Sequence, residues 1–404
     1  MNILIITQVY FPDTASVSQH LTDLAEHLVS KGHSVEVISS LFGYDKDEVY
    51  TKKYNQNGVL ISRVRNTNFK KKYFFYRAIN FLSFNLAVCV NLALRRRSVD
   101  LVLGTTVPPF SALIGLTYSK IRNIPFCFWV MDLQPELAIA SGLIKKKSII
   151  AKFFKVLGDF IIRKSSQLIS LDRFMTNYLI KRGASSSKIS QIPVWPVSQG
   201  FFDGTRSENP FRIQHNYGDK IVIMFSGNHA HVHPLNTLLE TALRLKDDQR
   251  FLFAFVGGGV RKKEVTAFRL KYKLSNIVQH EFQPRSTFHI AIAASDIQVV
   301  VLGNGQVGFT HPNKVYGAMF LGKPILYIGP KSSHITDILS KIHGNVMIMH
   351  NEIDLLILKL LNFAESYEDT DFITGQKNQE YAKVNFSPNI LMDQMVSALE
   401  SSKS

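Results

Sequence analysis

Hydrophobic runs and amphipathic stretches alternate along this chain. The apolar run in MNILIITQ reads as a buried strand, and Val17, Leu21, Leu24, Ala25 and Leu28 then recur at i, i+4, i+7, i+8 and i+11, the spacing of one helix face. Gly32 ends that helix, and HSVEVIS opens the next strand. Further strands are predicted at DLVLG, PFCFWV and QLISL, with helix-length segments between them. The pattern then restarts with KIVIMFSGN. A helix from Pro234 follows, with Leu235, Leu238, Leu239 and Ala242 on one face, and then the strand runs FLFAFVGGG, NIVQHEF, DIQVVVL and PILYIG. Strands alternating with helices imply α/β domains with largely parallel sheets covered on both faces. Two such domains follow, 1–195 and 196–380, joined near the Pro-rich segment IPVWPVSQGFFDG. Residues 381–404 are expected to form a C-terminal helix packing back towards the first domain.

Ligands of open parallel sheets sit at the carboxyl ends of the strands, so two domains facing one another would share a site in the cleft between them. The segments that follow strands are therefore the candidates. In YFPDTASVSQHL, Asp13, Thr14, Ser16 and other small residues precede a helix; they leave its N-terminal N–H groups open to phosphate or sugar hydroxyls, or Asp13 or Thr14 caps the helix. In MDLQPE, Asp132 and Glu136 stand at a strand end, where a carboxylate could hydrogen-bond an acceptor hydroxyl or simply shape a proline turn. FSGNHAHVHPLNTLLE gathers Gly227, Asn228, His229, His231 and His233 at a helix start. That grouping suits a diphosphate or sugar; three alternating histidines with no Asp or Glu among them do not converge on a metal ion. FVGGGVRKKE adds Gly257 and Gly258 in a loop suited to anions, its basic residues being equally able to sit in solvent. Finally, GFTHPNKVYGAMFLGKP is a turn and helix carrying Lys314, followed by the strand ILYIG, and it contains no carboxylate.

Composition narrows the setting. A chain of 404 residues with 46% hydrophobic and 19% charged residues has room for two globular cores. Two cysteines, Cys89 and Cys127, both in apolar runs, suggest neither disulfides nor a zinc site and fit a reducing cytoplasm. No basic region precedes the first strand and no cleavage site follows it, so a signal peptide is not expected. Net charge is +16, unevenly spread: up to Trp195 there are 26 Lys and Arg against 12 Asp and Glu, and beyond it 21 against 19. A basic first half points to a polyanion, and with no nucleic-acid motif present an anionic membrane surface is the better partner. Between Lys70 and Arg97, KKKYFFYRAINFLSFNLAVCVNLALRRR sets about 22 largely apolar residues between basic clusters. Its aromatic and polar interruptions favour a helix lying at an interface, with IKKKS at 144–148 reinforcing the contact; a buried core helix is the plain alternative.

YFPDTASVSQHLTDLAEHLVSKGHSVEVIS, TTVPPFSALIG, MDLQPE, FSGNHAHVHPLNTLLE, FVGGG and HPNKVYGAMFLGKPIL, in this order, resemble the glycosyltransferase family 4 enzymes of the GT-B fold, of the colanic-acid and O-antigen type. The resemblance implies a UDP- or GDP-sugar donor in the second domain, its base near Phe282 and Pro284 and its diphosphate near Gly227, Asn228, His229 and Lys314. His233, Gly257, Gly258, Pro312, Asn313 and Tyr316 would complete the donor site. Asp13, Thr14, Ser16 and Glu136 would meet a lipid-linked saccharide acceptor on the inner face of the cell membrane. Asp132, His229 and Lys314 would be catalytic, transfer would proceed with retention by a front-face reaction, and no metal or other cofactor is expected. Two departures stand out: Phe309 and Gly317 occupy positions where many relatives carry glutamates, and Asn228 or His229 with His233 replace an Arg and a Lys. Gly308, Pro312, Lys314, Gly322 and Pro324 still form a coherent turn and helix entry, which speaks for an active variant site. A nucleotide-sugar 2-epimerase and a non-catalytic membrane-binding relative are the alternatives.

Overall fold

The strand runs are the most thoroughly buried segments of the chain, and in the second half they read as continuous apolar stretches because both faces of their sheet are covered. The computed structural model describes residues 1–43, 48–69, 74–108, 110–140, 142, 144–197 and 200–402. Lys70, Lys71 and Lys72, and Ser198 and Gln199 of the expected linker, lie outside the described residues.

The first unit comprises Met1–Pro193 and Asn389–Ser404. Its strands are β1 (Asn2–Ile6), β2 (Ser34–Ser40), β3 (Lys53–Gln56), β4 (Val59–Val64), β5 (Leu101–Thr105), β6 (Phe126–Trp129), β7 (Gln167–Ser170) and β8 (Ile189–Gln191). They form one sheet in the order β3-β4-β2-β1-β5-β6-β7-β8. All pairs are parallel except β3 with β4, an antiparallel hairpin that the βα reading passes over. Its turn is Asn57-Gly58, at φ 49° and 86°, the residues a two-residue hairpin turn requires. Helix Ser16–Ser30 seats Leu21, Leu24, Ala25 and Leu28 against the sheet; Gly32, at φ 84°, then lets the His33 N–H reach back to Leu28 O at 3.1 Å. The final helix, Pro388–Ser401, buries Leu391, Met395 and Leu399, and its Asp393 meets His27 and Lys31, both at 2.7 Å. Residues 381–385 belong instead to helix Tyr367–Asn385, so the returning segment starts later than residue 381.

The second unit, Val194–Pro388, holds β9 (Ile221–Ser226), β10 (Phe251–Val256), β11 (Ile277–His280), β12 (Ile297–Val301), β13 (Ile325–Ile328) and β14 (Val346–Ile348). The order is β11-β10-β9-β12-β13-β14, all parallel, with winding that reverses between β9 and β12. Along β9 the strand period of two sends Ile221, Ile223 and Phe225 into one core with Leu238, Leu326 and Leu360, and Val222 and Met224 into another with Phe211 and Ala291. At such a reversal the loops after the two central strands part and leave a crevice at their carboxyl ends. Here those loops are the histidine segment after β9 and the Gly303–Asn313 segment after β12. In the first unit the same reversal lies between β1 and β5.

Candidate functional site

Glycines join the loops of the second unit. Gly227 is at φ 105°, and Gly257 and Gly259 are both at φ 127°, where side chains are disfavoured. A Cβ on Gly257 would lie 2.1 Å from Gly227 O, and one on Gly259 would lie 2.4 Å from Asn228 Oδ1. A Cβ on Gly258 would meet the Phe282 ring at 2.9 Å. Close packing of the post-β9 loop, the post-β10 loop and Phe282 therefore accounts for these glycines without reference to a ligand. Phe282 keeps 59% of its surface exposed, a ring face available for stacking, and Pro284 beside it is exposed as well.

His229 and His233 are neutral. Nδ1 of buried His229 faces two carbonyl oxygens, Gly227 O at 3.0 Å and Gly258 O at 3.2 Å, so the proton sits on Nδ1 and Nε2 is left as an acceptor. That Nε2 is buried without a hydrogen-bond partner. His233 likewise donates from Nδ1 to Val301 O at 2.6 Å. Burial, and then the Lys314 charge, lowers the pKa to about 4 for His229 and about 3 for His233. Neither can replace the positive charge of an Arg or a Lys at neutral pH. His231 is exposed; its carbonyl accepts from Arg261 at 3.1 Å.

Lys314 begins helix Lys314–Phe320 and sends its Nζ back under Gly227, where it lies 3.5 Å from the centroid of the Phe225 ring. Nζ is buried and makes no hydrogen bond. Burial lowers its pKa to about 7. An ammonium with an aromatic face on one side and no anion is a cation-π contact with an electrostatic demand left unmet. Gln306 Oε1 and Thr310 Oγ1, in the loop after β12, are also buried without partners. Sequence pattern missed both, since glutamine and threonine in a loop carry no distinguishing period. Room is left at Gly317, where no atom lies within 4 Å of a built Cβ.

Tyr316 is 1% exposed and its hydroxyl is bonded to His311 Nε2 at 2.6 Å, which ties it into the packing beneath the helix. Pro312 is buried and Asn313, half-buried, precedes the helix without capping it.

In the first unit the charged residues are largely committed to partners. Asp13 accepts from the Tyr50 hydroxyl at 3.1 Å, and Arg63, stacked over Tyr50, donates to Phe11 O at 2.7 Å, fixing the loop after β1. Neither Asp13 nor Thr14 caps helix Ser16–Ser30; the cap position is Ala15, which has no side-chain bond to offer. Thr14 and Ser16 are exposed. Glu136 sits in a network: its Oε1 accepts from Arg182 Nη1 at 2.7 Å and from Tyr178, while Arg182 also holds Asp159; its Oε2 is buried without a partner among the described residues. Asp132 differs from both. Half-buried beyond the end of β6, its carboxylate makes no hydrogen bond among the described residues, and burial pushes its pKa up to about 6.

Comparison with known proteins bears on the fold and the family. Residues 17–194 match the model of Glycosyltransferase Family 4. The probable glycosyltransferase WbjE of Pseudomonas aeruginosa is 27% identical over 255 residues, an alignment spanning 62% of this chain and 63% of that protein, just under two thirds of its length. The putative colanic acid biosynthesis glycosyl transferase WcaI of Escherichia coli K12 is 22% identical over 333 residues, 80% of this chain and 82% of that one. The structure of Anabaena Alr3699/HepE in complex with UDP-glucose superposes with a TM-score of 0.73 at 14% identity, over 99% of this chain and 100% of that chain. The fold is GT-B, built from two parallel-sheet α/β units.

Proposed function

We propose that this chain, a glycosyltransferase whose residues 17–194 form a family 4 domain, moves a sugar from a UDP- or GDP-sugar to a lipid-linked saccharide during bacterial surface-polysaccharide assembly. The observation that carries this reading is the Lys314 ammonium, buried and unpaired at the carboxyl end of a dinucleotide-type sheet. A diphosphate there would supply the missing anion, and Phe282 offers a ring on which a base can stack. The Anabaena structure holds UDP-glucose on the same fold, and the E. coli relative is named for colanic acid biosynthesis, which supports the donor class and the setting.

In the reaction the bond from the anomeric carbon to the donor phosphate breaks and a bond to the acceptor oxygen forms on the same face, giving retention. The acceptor proton passes to the leaving phosphate oxygen. Lys314 offsets the charge that develops on the leaving diphosphate. Asp132, without a hydrogen-bond partner among the described residues, is the group available to orient the acceptor hydroxyl. His229 presents an acceptor rather than a charge, so what it meets in the donor is a hydroxyl. In this reading Lys314 carries the charge compensation and no metal is needed.

Calorimetric titration with UDP, GDP and their sugar conjugates, first without metal and then with magnesium, tests the proposal. The expected result is selective, metal-independent binding of one nucleotide that Lys314→Ala removes. Binding of none of them, or binding indifferent to Lys314→Ala, would sink it.

A further inference from the structure

Two helices of the first unit leave apolar stripes uncovered. On Phe74–Ala93, Phe84, Val88 and Leu92 face the core while Phe75, Leu82, Leu86 and Val90 are exposed; the helix is long and apolar enough to cross a membrane, with a mean hydropathy of 1.2 and 28% of its apolar window buried. On Ile149–Lys164, Ala151, Ile161 and Ile162 face inward, while Ile149, Phe153, Val156 and Phe160 are exposed at i, i+4, i+7 and i+11, a single helical stripe. The sequence pattern drew attention to the first helix and passed over the second. Both pack on helix Ser111–Arg122, with Phe110 before it in ring contact with Phe153 and Phe154. Two exposed stripes therefore lie on helices that pack on one central helix. Patches of this size, framed by charge, are uncommon on a surface that meets only water.

The frame is positive. Lys145, Lys146 and Lys147 precede the second stripe, and Lys152 and Lys155 lie along it. Within 144–164 the one acidic residue, Asp159, is taken up by Arg182. The segment 74–97 has no acidic residue, and Arg77, Arg96 and Arg97 are exposed. Apolar side chains that insert, bracketed by lysines that meet headgroups, match the chemistry of an anionic bilayer.

We infer that helices Phe74–Ala93 and Ile149–Lys164 together form a docking platform for an anionic lipid bilayer, the second helix contributing as much as the first. This goes beyond the donor-site reading and stands if that reading fails. Flotation with phosphatidylcholine vesicles containing phosphatidylglycerol, against phosphatidylcholine alone, provides the test. Three proteins are compared: the full chain, Phe153→Ser/Val156→Ser/Phe160→Ser, and Leu82→Ser/Leu86→Ser. The full chain should bind the anionic vesicles, and each variant should bind about a hundredfold more weakly with an unchanged thermal melt, since the altered side chains are exposed. Two results overturn the platform. One is a triple variant that binds like the full chain; the other is a full chain that ignores anionic vesicles and instead self-associates through these stripes in sedimentation.

Discussion

The strand ends of the two units treat their buried cations in opposite ways. In the first unit, which carries nearly all the net positive charge, Arg63 and Arg182 are spent internally: one ties the loop after β1, the other gathers Glu136, Asp159 and Tyr178. In the second unit, nearly neutral overall, Lys314 Nζ, His229 Nε2 and Gln306 Oε1 are buried with nothing to bond. Net charge therefore points to one half of the molecule, and the one lysine nitrogen buried with nothing to bond among the described residues points to the other. The second is the better guide to a small-ligand site, because a buried polar group without a partner costs free energy that only a ligand can return. The first is the better guide to a surface.

The sharpest way to break this comparison is to remove one cation from each side. Arg182→Met strands two carboxylates and should destabilise the protein by about 3–5 kcal/mol, read by urea unfolding. Lys314→Met should do the reverse, raising the stability of the ligand-free protein while weakening nucleotide-diphosphate binding about a hundredfold. The sign follows from the lowered pKa: the unfolded chain holds the Lys314 proton more tightly than the folded one. The destabilisation is therefore complete below pH 7 and fades as pH rises towards the ordinary lysine value. Loss of stability in Lys314→Met would mean that the ammonium already has a partner.

The same lysine predicts how binding depends on pH, a smaller effect that sharpens the contrast. A bound diphosphate raises the Lys314 pKa, so above pH 7 binding must take up a proton. Affinity should fall by up to about tenfold per pH unit between pH 7 and 9, and calorimetry at pH 8.5 in buffers of different ionisation enthalpy should report uptake approaching one proton. His229 and His233, neutral throughout this range, contribute nothing to it. A flat profile would move the diphosphate away from Lys314.

Most of the fold was legible because burial obeys period. The Leu21-Leu24-Leu28 face, the apolar runs of β9 and β10 and the restart of the βα pattern all follow from where water is excluded. The hairpin at Asn57-Gly58 was legible too, in the strongest turn signal a sequence offers, but a reading tuned to βα repeats steps over an antiparallel edge. The site was legible in part. Lys314 and the glycine loops stood out from their place after strands, whereas the surroundings of Glu136 and Tyr316 depended on which residues, Arg182 and His311, reach them. The exposed stripe of Ile149–Lys164 was written in the sequence at helical spacing, yet spacing alone does not say which face of an amphipathic helix the protein covers.

The smallest test concerns the space at Gly317, a position where the family 4 resemblance led to the expectation of a glutamate. Gly317 lies inside helix Lys314–Phe320, and a methyl group there would meet nothing beyond its chain neighbours and its own helix backbone among the described residues. Replacing a helical glycine by alanine restricts the unfolded chain and should stabilise Gly317→Ala by about 0.5–1 kcal/mol in urea unfolding. If the donor occupies that room, the same methyl group must weaken donor binding, by several-fold rather than a hundredfold, since one carbon displaces little. Stability and affinity would then move in opposite directions at Gly317, as they do at Lys314, and that opposition is what separates a space kept for a ligand from a space the fold merely left unfilled. A stabilised variant with unchanged affinity would place the donor elsewhere along the crevice.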